Sequence, residues 1–201
     1  MLDWGARMGL ANWLTLLRIL LIPVFVLLLV YRRPGVALVV FSLAALTDML
    51  DGYVARRRGS QSRLGAFLDP TADKLLLTAS FVTLTQLRIL PPWITIVVIS
   101  RDVILVVGAL LIHMLGGRIH PRPTWAGKAA TFFQILTVLT GMLVRYARTP
   151  SEAGALALSS VTWLAAIFTI VSGLQYLVHG MRYLNATDAA REEPSEDVLI
   201  R

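Results

Sequence analysis

The chain has 201 residues, of which 56% are hydrophobic and only 15% charged, with a mean hydropathy of +0.69. Ordinary soluble domains carry about 25% charged residues, so the composition selects a polytopic membrane protein over one or two soluble domains. The absence of cysteine excludes disulfides, iron–sulfur clusters, zinc–thiolate sites and thiol nucleophiles, and the net charge of +7 reads as loop arginine facing anionic headgroups, with no nucleic-acid partner.

Residues 1–12, MLDWGARMGLAN, mix apolar and polar positions and read as a short interfacial helix. A bilayer core of about 30 Å needs roughly 20 apolar residues per helix. Six stretches meet that length, near 13–31, 36–57, 66–88, 92–115, 125–146 and 154–179. The first carries Arg18 and no small-residue cleavage site follows it, so it reads as a span and not a signal peptide. Turn chemistry separates the spans: RRPG at 32–35, Ser60 to Gly65, Pro91–Pro92, Gly116 to Pro123, and RTPSE at 148–152. The polar run 185–201, NATDAAREEPSEDVLIR, is expected to be a disordered tail. The expected fold class is therefore all-α: six transmembrane helices behind an interfacial helix, in one membrane domain over 1–184 without internal repeats.

Six spans put both termini on one side. That side collects eleven cations: Arg7, Arg56, Arg57, Arg58, Arg63, Arg118, Arg122, Lys128, Arg182, Arg191 and Arg201. The other side has five, Arg32, Arg33, Arg88, Arg145 and Arg148. The positive-inside rule then places the termini and the link at 58–65 in the cytoplasm.

Against this apolar background the segment 48–74, DMLDGYVARRRGSQSRLGAFLDPTADK, places four aspartates inside or beside spans. Asp48, Asp51, Gly52 and Ala55 follow i, i+3, i+4, i+7 spacing and share one helix face. Asp69 and Asp73 are i, i+4 at the start of the next span, where Pro70 suits a first turn. An antiparallel hairpin about the short link would bring the four carboxylates to one depth, just inside the cytoplasmic boundary. Burial and like charge both oppose ionising four such groups together. An all-carboxylate set without His or Cys suits hard divalent cations, Mg²⁺ or Mn²⁺, and a pair of them suits phosphoryl transfer. Gly52 and Ala55 leave room for a ligand against the backbone, while Arg56 is placed to grip a phosphate. The residues also admit two other readings. Intramembrane acids serve proton relays in transporters, and polyprenyl-transferring enzymes carry aspartate-rich motifs.

Asp48-x-x-Asp51-Gly52-x-x-Ala55-Arg56, eight residues, then Gly65-x-x-x-Asp69-x-x-x-Asp73 resembles the motif of the CDP-alcohol phosphotransferases at all eight fixed positions. The resemblance covers residues 1 to about 184. It implies displacement of CMP from a CDP-linked donor by an alcohol. It implies that Asp48, Asp51, Asp69 and Asp73 ligate the metals, with Asp73 also the base for the acceptor hydroxyl. It implies that Gly52, Ala55 and Arg56 accommodate the CDP group, and that the protein is a homodimer in a bacterial inner membrane.

The segments NWLTLLRILLIP at 12–23 and GAFLDPTADK at 65–74 resemble the phosphatidylglycerophosphate synthase branch. That branch joins CDP-diacylglycerol to glycerol 3-phosphate. ISRDVIL at 99–105 resembles equally the CDP-alcohol cardiolipin synthases, whose acceptor is phosphatidylglycerol, because Arg101 precedes Asp102 and not Glu. A dianionic acceptor needs several cations, and the candidates are Arg63, Arg101, Arg118, Arg122 and Lys128. Arg101 lies mid-span, where a charge needs either a polar cavity or an acid elsewhere in the bundle. The others double as topology-setting loop charge. Asn12, Thr15 and Arg18 are candidates to border the nucleotide, with Asn12 alternatively a helix cap. His113, His120 and His179 make no metal set.

Overall fold

The computed structural model of the chain describes the backbone of residues 10–58, 63–114, 124–147 and 151–192. Side chains within these are described for 17–46, 74–111, 114, 124–147 and 151–181. The described elements are six helices: α1 (Leu10–Val30), α2 (Pro34–Arg58), α3 (Arg63–Gln86), α4 (Pro92–Met114), α5 (Trp125–Tyr146) and α6 (Glu152–Glu192).

The ends of these helices follow from local chemistry. Pro34 and Pro92 each open a helix, at the position where a missing N–H leaves no bond unmade. Thr124 caps α5 by accepting from the Gly127 N–H at 3.1 Å, and Ser151 caps α6 by accepting from the Gly154 N–H at 3.1 Å. Helices α1 and α3 end differently, on arginines with positive φ. Arg32 and Arg88 both have φ of 56°, and the residues around them bond back to the last turn, with Arg33 N–H to Leu28 O and Ile89 N–H to Leu84 O.

Three helical hairpins result, and side-chain pairs fix their registers. In the first, the Phe25 and Phe41 rings lie 5.6 Å apart. In the second, Thr85 Oγ1 and Thr95 Oγ1 share a hydrogen bond of 2.6 Å, and Thr95 also donates to the Phe81 carbonyl at 3.3 Å. In the third, Gln134 Nε2 donates to Thr169 Oγ1 at 2.9 Å, and Phe133 stacks on Phe168 at 5.1 Å. Helix α3 sits centrally, packing on α1, α4 and α5, while α5 also packs on α2 and α6.

The core runs through Phe25, Phe41, Phe81, Leu84, Ile94, Val98, Val138 and Met142, all within 2% of full burial. Buried hydroxyls close onto the carbonyl one turn back, as in Ser80 to Leu76 O and Thr162 to Leu158 O, both 2.7 Å. Such internal satisfaction is what a chain without surrounding water requires. Ala126, Ala130, Gly141, Ala165 and Ala166 line the interior of α5 and α6, where small residues allow close helix approach. Outward positions are apolar, among them Val106, Leu110, Leu156, Ile167 and Leu174, each at least half exposed or nearly so.

Among the described residues three segments are long and apolar enough to cross a membrane: Pro92–Leu111, Trp125–Tyr146 and Glu152–Met181. Leu17–Val30 and Pro34–Leu46 are shorter apolar runs. The six helices thus coincide with the six expected stretches. Two boundaries differ from expectation. Residues 10–12 of the expected interfacial segment already belong to α1, and residues 1–9 lie outside the described ones. At the other end α6 continues to Glu192, so residues 185–192 are helical where a disordered tail was expected. Polarity rises there, but Ala186, Ala189, Ala190 and Arg191 favour helix and no Gly or Pro occurs between Gly180 and Pro194.

Candidate functional site

The two ends of the bundle are chemically unlike. Gly35, at the start of α2, abuts the Tyr146 ring at the end of α5, and Gly141 of α5 meets Leu84 and Ile89 beyond α3. All three hairpin turns therefore gather at one end, and α2 and α3 run antiparallel. The opposite end receives the second half of α2 and the first half of α3, which are the segments carrying the aspartates.

Helix geometry orients those segments. The buried stripe of α2 is Ala37, Phe41 and Ala44, and continuing it by three and four residues reaches positions 48, 51, 52 and 55. The buried stripe of α3 includes Leu76, Ser80 and Thr83, and continuing it backwards reaches 73 and 69. Positions 48, 51, 52 and 55 are thus in helical phase with the buried stripe of α2, and positions 69 and 73 with that of α3. Arg56 lies one residue further along α2, and Arg63 opens α3. The side chains of all these residues lie outside the described ones, as do Arg118 and Arg122 altogether.

A described polar cluster adjoins this segment. Lys74, the residue after Asp73, has its Nζ 3.6 Å from Asp102 Oδ1 on α4. Register explains the pair: Lys74 stands seven positions before Phe81 and Asp102 seven after Thr95, two turns along the same faces of the hairpin. Arg101 Nη1 donates to the same Asp102 oxygen at 2.8 Å, and Arg101 Nη2 donates to Ser172 Oγ on α6 at 3.1 Å. Ser172 is 4% exposed, and the Arg101 side chain 13%. The Arg101 Nε–H is buried and has no acceptor among the described residues.

The first turn of α5 completes the cluster. A Cβ on Gly127 would stand 3.6 Å from Arg101 Nη2 and 3.4 Å from Ser172 Oγ, which puts the guanidinium beside this helix start. The N-terminal end of the α5 dipole adds partial positive charge there. Lys128 follows on the same turn and is exposed. Among the described residues the acid that pairs with Arg101 is the next residue on its own helix.

Arg18 occupies a comparable depth on α1 and is 1% exposed. It stands seven positions before Phe25, and Asp48 stands seven after Phe41. In an antiparallel pair with that register the two positions are level and on facing sides. Of the remaining residues singled out in the sequence, Asn12 lies inside the first turn of α1 and not before it, and His179 is exposed on α6. Ser172 was not singled out, Asp102 served only to mark the branch, and its pairing with Lys74 was not anticipated. Asp102 and Lys74 carried a signal, each being a charge in an apolar run, whereas Ser172 carried none.

The described part of this end thus brings together a guanidinium held by Asp102 and Ser172, the ammonium of Lys74 and the N-terminus of α5. Such donors suit an oxyanion, as in a phosphate ester.

Known proteins agree. The model of the family described as "CDP-alcohol phosphatidyltransferase" matches residues 8–181. The chain is 38% identical over 171 residues to a Haemophilus influenzae protein named "CDP-diacylglycerol--glycerol-3-phosphate 3-phosphatidyltransferase", covering 82% of this chain and 89% of that one. A Bacillus subtilis protein of the same name is 34% identical over 184 residues, covering 84% and 93%. A Mycobacterium tuberculosis protein named "Probable phosphatidylglycerophosphate synthase" is 34% identical over 180 residues, covering 87% and 82%. With a family match over most of its length and relatives above 30% identity, this chain belongs to the CDP-alcohol phosphatidyltransferase family.

Proposed function

We propose that this protein is a membrane-embedded enzyme that transfers the phosphatidyl group of CDP-diacylglycerol to glycerol 3-phosphate, releasing phosphatidylglycerophosphate and CMP. The observation that carries the acceptor is Arg101. It is partly buried, bonded to Asp102 and Ser172, and linked through Asp102 to the residue that follows Asp73. Arg101 and Lys74, with Lys128 at the mouth, supply the positive charge that a dianionic acceptor needs beside the base. Arg63, Arg118 and Arg122 are further candidates for that role. The names of the relatives point to the same acceptor.

The donor set of Asp48, Asp51, Asp69 and Asp73 is all carboxylate, on the interior faces of two antiparallel helices, and fits Mg²⁺ or Mn²⁺. When bound, such cations would neutralise the donor's pyrophosphate and the like charge of the four acids. The remaining steps fall to the protein. Gly52 and Ala55 leave the α2 backbone open to the cytidine group, and Arg56 holds the pyrophosphate. Asp73 accepts the proton of the acceptor hydroxyl. The acceptor oxygen then bonds to the phosphatidyl phosphorus while the bond from that phosphorus to the CMP oxygen breaks. Arg101 fixes the acceptor phosphate so that its hydroxyl faces Asp73, replacing a bimolecular encounter by a held geometry.

In this reading the six helices span an inner membrane, residues 1–184 form the membrane domain behind an N-terminal interfacial segment, and the polar end faces the cytoplasm. A homodimer is the expected assembly. The test is CMP release by the purified protein from CDP-diacylglycerol in mixed micelles with each acceptor separately. Release is expected with glycerol 3-phosphate. It should be lost in excess chelator and in Asp48→Asn, Asp69→Asn or Asp73→Asn, each at normal expression. Release with phosphatidylglycerol alone would replace this reading by cardiolipin synthesis, and no release at all would return the acids to a transport role.

A further inference from the structure

Resting on that reading of Arg101, we infer that Ser172, on α6, is a positioning residue for the acceptor: it orients the Arg101 guanidinium that receives the acceptor phosphate. A guanidinium has five N–H donors in one plane. A single bond to Asp102 would fix one corner and leave the plane free to turn about the side-chain torsions. Asp102 is on the same helix as Arg101 and reaches α3 only through the half-exposed Lys74 at 3.6 Å, so it sets the guanidinium against the rest of the bundle weakly. Ser172 does so directly, because it belongs to a helix 71 residues away and accepts from the other terminal nitrogen at 3.1 Å.

The surroundings of Ser172 are shaped for this contact. A Cβ on Gly173 would stand 3.6 Å from Arg101 Cγ, so the arginine stem crosses α6 at van der Waals distance just where the head meets Ser172. Gly127 lies opposite, its Cβ position 3.4 Å from Ser172 Oγ. Held at two corners, the guanidinium has its Nε–H buried and without an acceptor among the described residues. A buried donor left unmatched is costly unless a ligand completes it. An oxyanion of the acceptor is the chemistry that would.

The hydroxyl of Ser172 carries no charge, so its removal changes the orientation of Arg101 without changing the site's charge. Ser172→Ala is expected to raise KM for glycerol 3-phosphate about five-fold, the size of a typical net hydrogen bond, with kcat and the KM for CDP-diacylglycerol unchanged. Ser172→Thr, which keeps the hydroxyl, should stay within about two-fold of wild type on that scale. Thr169→Ala removes a comparable bond between α5 and α6, to Gln134, one turn earlier. It is the control for a merely structural effect and should leave the acceptor KM alone. In an Arg101→Lys background, which cannot fork between Asp102 and Ser172, the Ser172→Ala effect should vanish.

An unchanged acceptor KM in Ser172→Ala, or a rise shared equally by both substrates and by Thr169→Ala, overturns the inference while Arg101 keeps its role. An unchanged acceptor KM in Arg101→Gln overturns the reading of Arg101 itself, and the inference with it.

Discussion

The bundle carries arginines at both ends, and the contrast between them separates topology from chemistry. At the turn end Arg32, Arg33, Arg88 and Arg145 are all exposed, and two of them sit in left-handed turns. No described residue holds their heads in one geometry, and exposed cations of this kind contribute little beyond setting which side of a membrane they face. At the polar end Arg101 is 13% exposed and bonded from two helices. Arg18, on α1, is 1% exposed. The same residue type is a label at one end and a fixture at the other. Burial and fixed partners make the difference, since a charge removed from water persists only where geometry compensates it.

The sharpest way to break this comparison is to neutralise one arginine from each end. Arg101→Gln removes a held charge facing the acceptor. It should lower kcat/KM for glycerol 3-phosphate at least about thirty-fold, corresponding to about 2 kcal/mol of lost transition-state stabilisation. Arg88→Gln should change it by less than about two-fold, within the range of exposed charges. Steady-state CMP release over a range of acceptor concentrations reads both. Equal effects at the two ends would mean that Arg101 acts only through net charge.

A smaller effect is expected from the carboxylate that holds the polar end together. Asp102 compensates Lys74 and Arg101 through one oxygen. Its side chain is 18% exposed and that of Lys74 39%, so the pair is partly screened by solvent. Breaking a fully buried pair costs about 3–5 kcal/mol. With this exposure, Asp102→Leu should cost about 2 kcal/mol, a fall of about 4–8 °C in thermal unfolding in detergent for a chain of this size. Asp102→Glu, keeping the charge, should cost less than half of that. A neutral result for Asp102→Leu would show that the two cations are satisfied by solvent.

How much of this was legible in the sequence depends on which physical signal each feature leaves. Helix positions were legible because crossing length is written as apolar runs and Pro34 and Pro92 mark helix starts. The aspartate face is an expectation from 3.6-residue spacing in the one-letter string; the buried stripes of α2 and α3 are in phase with it, while the aspartate side chains lie outside the described residues. The partners of Arg101 were not legible. Asp102 is adjacent in sequence, a spacing that on a straight helix puts side chains on different faces, and the contact depends on the long guanidinium folding back. Ser172 lies 71 residues off, and a buried serine on an apolar helix looks like any other back-bonded hydroxyl. The end of α6 was misjudged for a related reason, because polarity reports solvent exposure while alanine content reports helix propensity, and at 185–192 the two diverge.

The smallest expected effect tests the turn end alone. Arg88 has φ of 56°, and its neighbours close the end of α3 with Arg88 N–H to Thr85 O and Ile89 N–H to Leu84 O, both 2.9 Å. A residue with a Cβ is strained in this region by about 1–2 kcal/mol, and glycine is not. Glycine also gains about 0.5–1 kcal/mol of freedom in the unfolded chain, which offsets part of the relief. Comparing Arg88→Gly with Arg88→Ala cancels the loss of the arginine side chain and leaves this backbone difference. The glycine variant should be the more stable by about 0.5–1 kcal/mol, or about 1–4 °C in thermal unfolding. Both variants should retain wild-type acceptor KM, because nothing at the turns reaches Lys74, Arg101 or Ser172. If alanine proved equal or better, the left-handed turn would not be the conformation in the folded protein. If the acceptor KM shifted in both, the two ends would be coupled, and an exposed arginine at a turn would no longer serve as the inert reference against which Arg101 is judged.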